Sequence, residues 1–199
     1  MKLSDRGQDL LQKYNDIYNG QGFLQDHQVI VDEKKKIFDG YSMYKHLWSK
    51  LLATVEPMES FTLLDYGCGR AKQLYNRVLP GATTFHEYFG GKCQSYYCYD
   101  PANPLYIRKP PTVMKFDIVV CADVMEHVAE NDVPAVIQDM STYMHDKSTI
   151  MFSICGAPAV KSFAGTEENF HVTLKDRTWW KNQIAQHVDL QRVVLAYHA

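Results

Sequence analysis

The sequence contains no run of about 18 apolar residues, so no segment is expected to cross a bilayer as a helix. Its opening stretch, MKLSDRGQDLLQKYND, lacks the apolar core of a secretory signal, which points to a soluble, cytoplasmic protein without membrane contact. Cysteine is sparse and unpatterned. Cys68, Cys93, Cys98, Cys121 and Cys155 are odd in number and lack Cys-x-x-Cys spacing, which argues against a disulfide framework. No set of His and Cys beside Cys93 and Cys98 completes four ligands, so no metal site is expected. An excess of one charge is also missing: 21 Lys and Arg against 23 Asp and Glu leave −2, so nucleic acid is not the expected partner. Internal repeats and low-complexity tracts are absent. The remainder is 199 residues with 46% apolar content, enough to bury one core in one domain.

The apolar spacing predicts an amphipathic helix over 9–18 and a second over 44–55, stopped near Pro57. Tyr41, Tyr44 and Trp48 cluster at the second helix, where core packing is the simpler reading. The Asp-Glu-Lys-Lys-Lys run at 32–36 reads as a solvated turn. Residues 1–57 are thus expected to form a helical cap or lid on a core spanning 61–199.

Within that core, 61–66 is a short apolar strand running into a glycine turn and then a helix carrying Leu74, Tyr75 and Val78. Further strands are expected at 96–99, closing on Asp100, at 116–122, closing on Asp123, at 149–155 and at 190–197. Helices are expected from Val133, with Pro134 in the first turn, and over 178–187. The stretch 156–173 reads as a loop long enough to be functional. Acids at strand ends point to a binding crevice at the carboxyl edge of a parallel sheet.

The strongest motif is LLDYGCGR, in which Asp65 stands two positions before Gly67 and Gly69. Glycines without Cβ atoms let the backbone turn sharply and approach a ligand. A dinucleotide fingerprint has three glycines first and its acid about 20 residues later. Here the acid comes first and Lys72 stands at the third glycine position, which argues against nicotinamide binding.

This arrangement resembles the class I S-adenosylmethionine-dependent methyltransferases, whose first motif is an acid followed by spaced glycines at the end of the first strand. Two more segments extend the resemblance in the expected order: YYCYDP at 96–101 and FDIVVCADVMEHV at 116–128. The resemblance implies a single Rossmann-like, doubly wound α/β domain with a mostly parallel sheet of five or six strands. Only 16 residues, four of them proline, separate Asp100 from Asp117, so the third strand is expected to be reduced, as is the C-terminal hairpin. S-adenosyl-L-methionine is the implied cofactor and S-adenosyl-L-homocysteine the product. Asp65 would lie near the methionine amino group, with Gly67, Cys68 and Gly69 beneath the cofactor and Ala71 narrowing the pocket floor. Asp100, followed by Pro101, would accept both ribose hydroxyls; Glu87 competes for that role, while the stretch 81–95 reads as an inserted loop. Asp123 and Val124 would border the cofactor, and Tyr41 would reach it from the lid.

For the chemistry, His171 in the loop after the fifth strand of that scheme is the first candidate base and His127 the second. Each also has a structural reading: His171 tying its loop down, and Glu126 with His127 fastening a helix start. Trp179 and Trp180 diverge by about 100° on a helix, so at least one should enter the core. The Ala-Asp-Val-Met sequence replaces the Pro-Pro motif of nucleic-acid amino methylation, and Cys121 lacks the proline of cytosine-5 chemistry. The expected activity is therefore methyl transfer to an oxygen or nitrogen of a small molecule, sugar or side chain. The alternatives are a silent cofactor-binding scaffold, or an RNA methyltransferase completed by a partner subunit. The overall pattern also resembles methyltransferase-domain proteins of bacteria and their phages.

Overall fold

A computed structural model describes residues 1–31 and 37–198, so the expected turn at 32–36 lies outside the described residues. The chain starts with α1 (Asp5–Tyr18), followed by β1 (Phe23–Gln25), β2 (Gln28–Ile30) and α2 (Ser42–Val55). The α/β core continues with β3 (Phe61–Tyr66), α3 (Lys72–Tyr75), α4 (Phe85–Phe89), β4 (Cys93–Tyr99) and β5 (Phe116–Ala122). It closes with α5 (Val133–Ser141), β6 (Met144–Cys155), β7 (Lys161–Phe163), α6 (Arg177–Ala185) and β8 (Val193–His198).

Five strands form one sheet in the order β4-β3-β5-β6-β8, and every neighbouring pair is parallel. The central parts of β3, β5 and β6 are largely apolar on both faces, where helices cover both. In β5, Ile118 and Val120 face the core under α2 and α4, while Val119 and Cys121 face α5 and α6. That period of two within a wholly apolar run is what a doubly covered parallel strand requires. From β3 the chain first adds β4 on one side and later β5 on the other, so the order reverses between β3 and β5. A crevice opens at the carboxyl ends of the strands at such a switch.

Several expectations change. The sheet is all-parallel and not merely mostly so, because β8 runs parallel to β6; its five strands, with no antiparallel hairpin or third strand among the described residues, agree with the expected reduction. The proline-rich segment after β4 forms turns, leaving β4 as the edge. The stretch 81–95 is not simply a loop; it holds α4, started by a capping box in which Thr84 Oγ1 and the Glu87 carboxylate exchange backbone hydrogen bonds. By contrast α3 is a single turn that stops before Val78.

The cap is not purely helical. Strand β7, from the loop 156–173, adds to the β1-β2 hairpin in a three-stranded antiparallel sheet, β2-β1-β7. Two distant segments therefore build one lid. Its helix is fixed to the core through Ser4, whose hydroxyl caps α1 by accepting from Gly7 N while donating to Asp132 at 2.7 Å. A Cβ on Gly7 would lie 2.0 Å from that carboxylate, so glycine is required for the close approach. Asp132 stands just before α5, but its carboxylate serves the lid and makes no hydrogen bond to cap its own helix. No described helix is long and apolar enough to cross a membrane.

Candidate functional site

A cavity of about 560 Å³ lies between the lid and the carboxyl edge of the sheet. Its lining includes Gly67, Gly69, Asp100, Pro101, Asp123, Val124, His127 and His171. Three distant motifs and the long loop thus meet in one place.

The glycine turn explains part of the convergence. Gly67 has φ +83°, and a Cβ there would come within 2.4 Å of Val124; Gly69 has φ +60°, and its Cβ would meet Phe38 O at 2.4 Å. Only glycine fits between the β5 end on one side and the lid on the other. The turn is tied to β4 by Gly67 N and Cys68 N, which both donate to Tyr99 O. Ala71 adopts a left-handed conformation (φ 49°) where a glycine would be unstrained, but it is buried outside the cavity lining. The expected narrowing of the floor at Ala71 is therefore not seen.

Asp100 ends β4 and accepts four hydrogen bonds. Oδ1 takes Ala102 N and Asn103 N; Oδ2 takes Gly69 N at 3.0 Å and the Tyr18 hydroxyl at 3.3 Å. Burial raises its pKa, and the three backbone donors and Tyr18 oppose that rise. Glu87, its competitor, is on the exposed face of α4 paired with Arg77 at 2.6 Å, outside the cavity. Asp65 is buried and does not line the cavity; Tyr96 Oη donates to it at 2.6 Å and Gln73 Nε2 at 3.2 Å. Burial raises Asp65 to a pKa of about 6.

Asp123, after β5, also has a positive φ, of 54°. Its Oδ1 accepts from Ser153 Oγ at 2.6 Å and faces His198 Nε2 at 3.1 Å, while Oδ2 lies 3.5 Å from His46 Nε2. Burial pushes its pKa up, but the Ser153 and His198 hydrogen bonds, with His46 nearby, outweigh burial and hold it below the usual value. The two imidazoles stack at 4.1 Å and 10°.

Glu126 is fully buried. Its Oε1 accepts from Cys155 N, whereas Oε2 has no partner. Burial, then the charge of Asp123, raises its pKa to about 8. Its backbone carbonyl accepts from Val172 N and Thr173 N, so it anchors the long loop and not a helix start. His127 Nδ1 lies 3.0 Å from Phe170 O and 2.8 Å from the Tyr14 hydroxyl, and burial, then His171, lowers its pKa to about 3. His171 Nδ1 lies 2.6 Å from Ala157 O and its pKa is lowered by burial. The rings of His127 and His171 meet edge to face at 4.8 Å.

The remaining expected residues lie elsewhere. Cys68 is buried behind the turn and absent from the lining, and burial pushes its thiol up. Tyr41 does not reach the cavity from the lid; its hydroxyl accepts from Asn76 Nδ2 at 2.7 Å, and Tyr14, Tyr18 and Phe38 present the lid's aromatic surface instead. Trp48 packs against Tyr44, Phe85, Tyr88 and Phe89. Trp180 is core and Trp179 half-buried, and neither lines the cavity. Sequence reasoning missed Tyr14 and Tyr18. Their i, i+4 spacing puts them on one face of α1, a signal that also fits ordinary core packing. His46, Ser153 and His198 were missed because they come together only when α2 packs against β6 and β8 in the fold.

Comparison with protein family models, with curated proteins and with solved structures finds no match for this chain.

Proposed function

We propose that the protein is an S-adenosylmethionine-dependent methyltransferase acting on an oxygen or nitrogen of a small molecule, sugar or side chain. The observation that carries this reading is Asp100. A carboxylate at the end of the strand beside the glycine turn borders the cavity, and its Oδ2 is bonded to Gly69 N and to a lid hydroxyl that a ribose hydroxyl can replace. The cavity volume is in the range of small-molecule sites. The loop 156–173, through Ala159, Phe170 and His171, borders the same side of the cavity as Asp123 and His127, where the acceptor would sit.

Methyl transfer from a sulfonium already has a good leaving group, so alignment of donor and acceptor supplies much of the rate. A base is needed only when the acceptor loses a proton. With Nδ1 directed at Ala157 O, His171 keeps Nε2 as a lone pair for that role. His127, lowered further and held by Phe170 O and Tyr14, is the poorer proton acceptor.

The test is transfer of a labelled methyl group to a panel of hydroxylated and amine-bearing small molecules, read together with S-adenosylhomocysteine release. The reading expects product with at least one acceptor class and slower turnover in His171→Ala at near-normal cofactor affinity. Cofactor binding without release across the panel would favour the silent scaffold. Salt-dependent RNA binding would favour a nucleic-acid acceptor.

A further inference from the structure

We propose that Glu126, His127 and His171 form a binding site for one divalent transition-metal cation in the cavity wall. One donor atom from each lies within 4.8 Å of the other two. Glu126 Oε2 is buried without any hydrogen-bond partner, a costly state for a carboxyl oxygen that a cation would relieve.

The histidines are set up as ligands. The Tyr14 hydroxyl donates to Phe170 O, so His127 Nδ1, which faces both oxygens, carries the ring proton, and Ala157 O, which only accepts, fixes that of His171 on Nδ1. Each ring is left with Nε2 as an unprotonated lone pair that makes no hydrogen bond among the described residues. Metal-binding histidines are oriented in this way, with the second ring nitrogen donating to a carbonyl or carboxylate. Ring planes 84° apart allow two in-plane lone pairs to converge on one point.

A second trio, His46, Asp123 and His198, has donor atoms equally close but a different geometry. Its rings are nearly parallel, so their in-plane lone pairs run side by side and cannot meet. Its carboxylate is already saturated by Ser153 and His198 on one oxygen and faces His46 with the other. That trio is a closed hydrogen-bond network, and the Glu126 trio is the open one.

Two imidazoles and one carboxylate suit Zn²⁺, Mn²⁺ and similar cations and leave coordination positions free. Bonds of about 2.0–2.2 Å put cis ligands roughly 3–3.5 Å apart, so the side chains would close in from the 4.8 Å within which one donor atom of each lies. His127 and His171 line the cavity, so the free positions face its interior, where a bound hydroxyl or water would be polarised. This site goes beyond the methyl-transfer reading and does not depend on it; with a cation bound, the His171 Nε2 lone pair is taken up, and a metal-bound water or hydroxide would replace the imidazole as the base.

The test is calorimetric titration of the full chain with Mn²⁺ and, separately, Zn²⁺, without S-adenosylmethionine or acceptor. Mn²⁺ avoids confusion with thiolate binding at the cysteines. The expected result is one Mn²⁺ per chain, with affinity at least about tenfold weaker in both Glu126→Gln and His171→Ala and within about twofold of wild type in His46→Ala. Circular dichroism checks folding, and should Glu126→Gln misfold, His171→Ala and His171→Gln carry the result. The proposal is overturned if folded wild type takes up neither cation. It is also overturned if uptake survives His171→Ala, or is lost in His46→Ala instead.

Discussion

The two halves of the sheet's carboxyl edge treat their carboxylates differently. On the β3-β4 side, Asp100 has four donors and Asp65 two. On the β5-β6 side, Asp123 is likewise taken up by Ser153, His198 and His46, but Glu126 keeps an unpartnered oxygen beside two imidazoles that each retain a free nitrogen. A saturated carboxylate positions backbone and exchanges one hydroxyl for another, whereas an unsaturated one next to lone pairs holds a cation or a proton. On the proposed reading, the first half would bind the cofactor and the second would act on what is bound.

Substitutions on the first half should therefore change cofactor affinity and stability, and those on the second should spare affinity. The largest effect is expected for Gly67→Ala, which adds a Cβ at positive φ against Val124. A loss of about 2–4 kcal/mol in denaturant unfolding and loss of S-adenosylmethionine binding are expected. Wild-type stability would mean that the turn relaxes freely and fixes nothing.

Asp100→Ala leaves Gly69, Ala102 and Asn103 N–H groups without their acceptor. A loss of about 2–3 kcal/mol and at least a tenfold drop in cofactor affinity are expected. Glu87→Gln should leave affinity unchanged; the reverse pattern would move the ribose contact to α4.

Asp65 sharpens the comparison through pH. Its folded pKa of about 6 lies above the ordinary 3.8, so the folded chain holds this proton more tightly than the unfolded chain. Its contribution makes stability fall as pH rises from about 4 to about 6, by about 3 kcal/mol, and then level off. Asp65→Asn should remove that decline in urea midpoints measured across the window. An unchanged slope would assign it to other groups.

The smallest effect is expected for Tyr18→Phe, which removes the lid hydroxyl from Asp100. Cofactor affinity should stay the same or improve by about threefold, because the hydroxyl competes with the ribose. A tenfold loss would instead make Tyr18 a ligand contact.

The core strands were legible because each is a short apolar run ended by an acid or glycine, and β3 and β5 have the bounds expected of them. Gly67, Gly69, Asp100, Asp123, His127 and His171 were legible as strand-end and loop residues, and the cavity brings them together. The lid was not. Pairing β7 with β1 is a contact across more than a hundred residues, and three-residue strands carry too little alternation to be read. Tyr41 was expected to reach the cofactor from the lid, but its hydroxyl bonds Asn76, away from the cavity. The unpartnered oxygen of Glu126 has no sequence signature, since it depends on which backbone groups the loop 156–173 brings near.

Calorimetric titration of wild type and Asp100→Ala with S-adenosylmethionine, and in parallel with S-adenosylhomocysteine, tests the account most directly. The account expects micromolar, one-to-one binding of both by the wild type and at least tenfold weaker binding by the variant. Folded wild-type protein that binds neither, or a variant that binds both equally well, would contradict it.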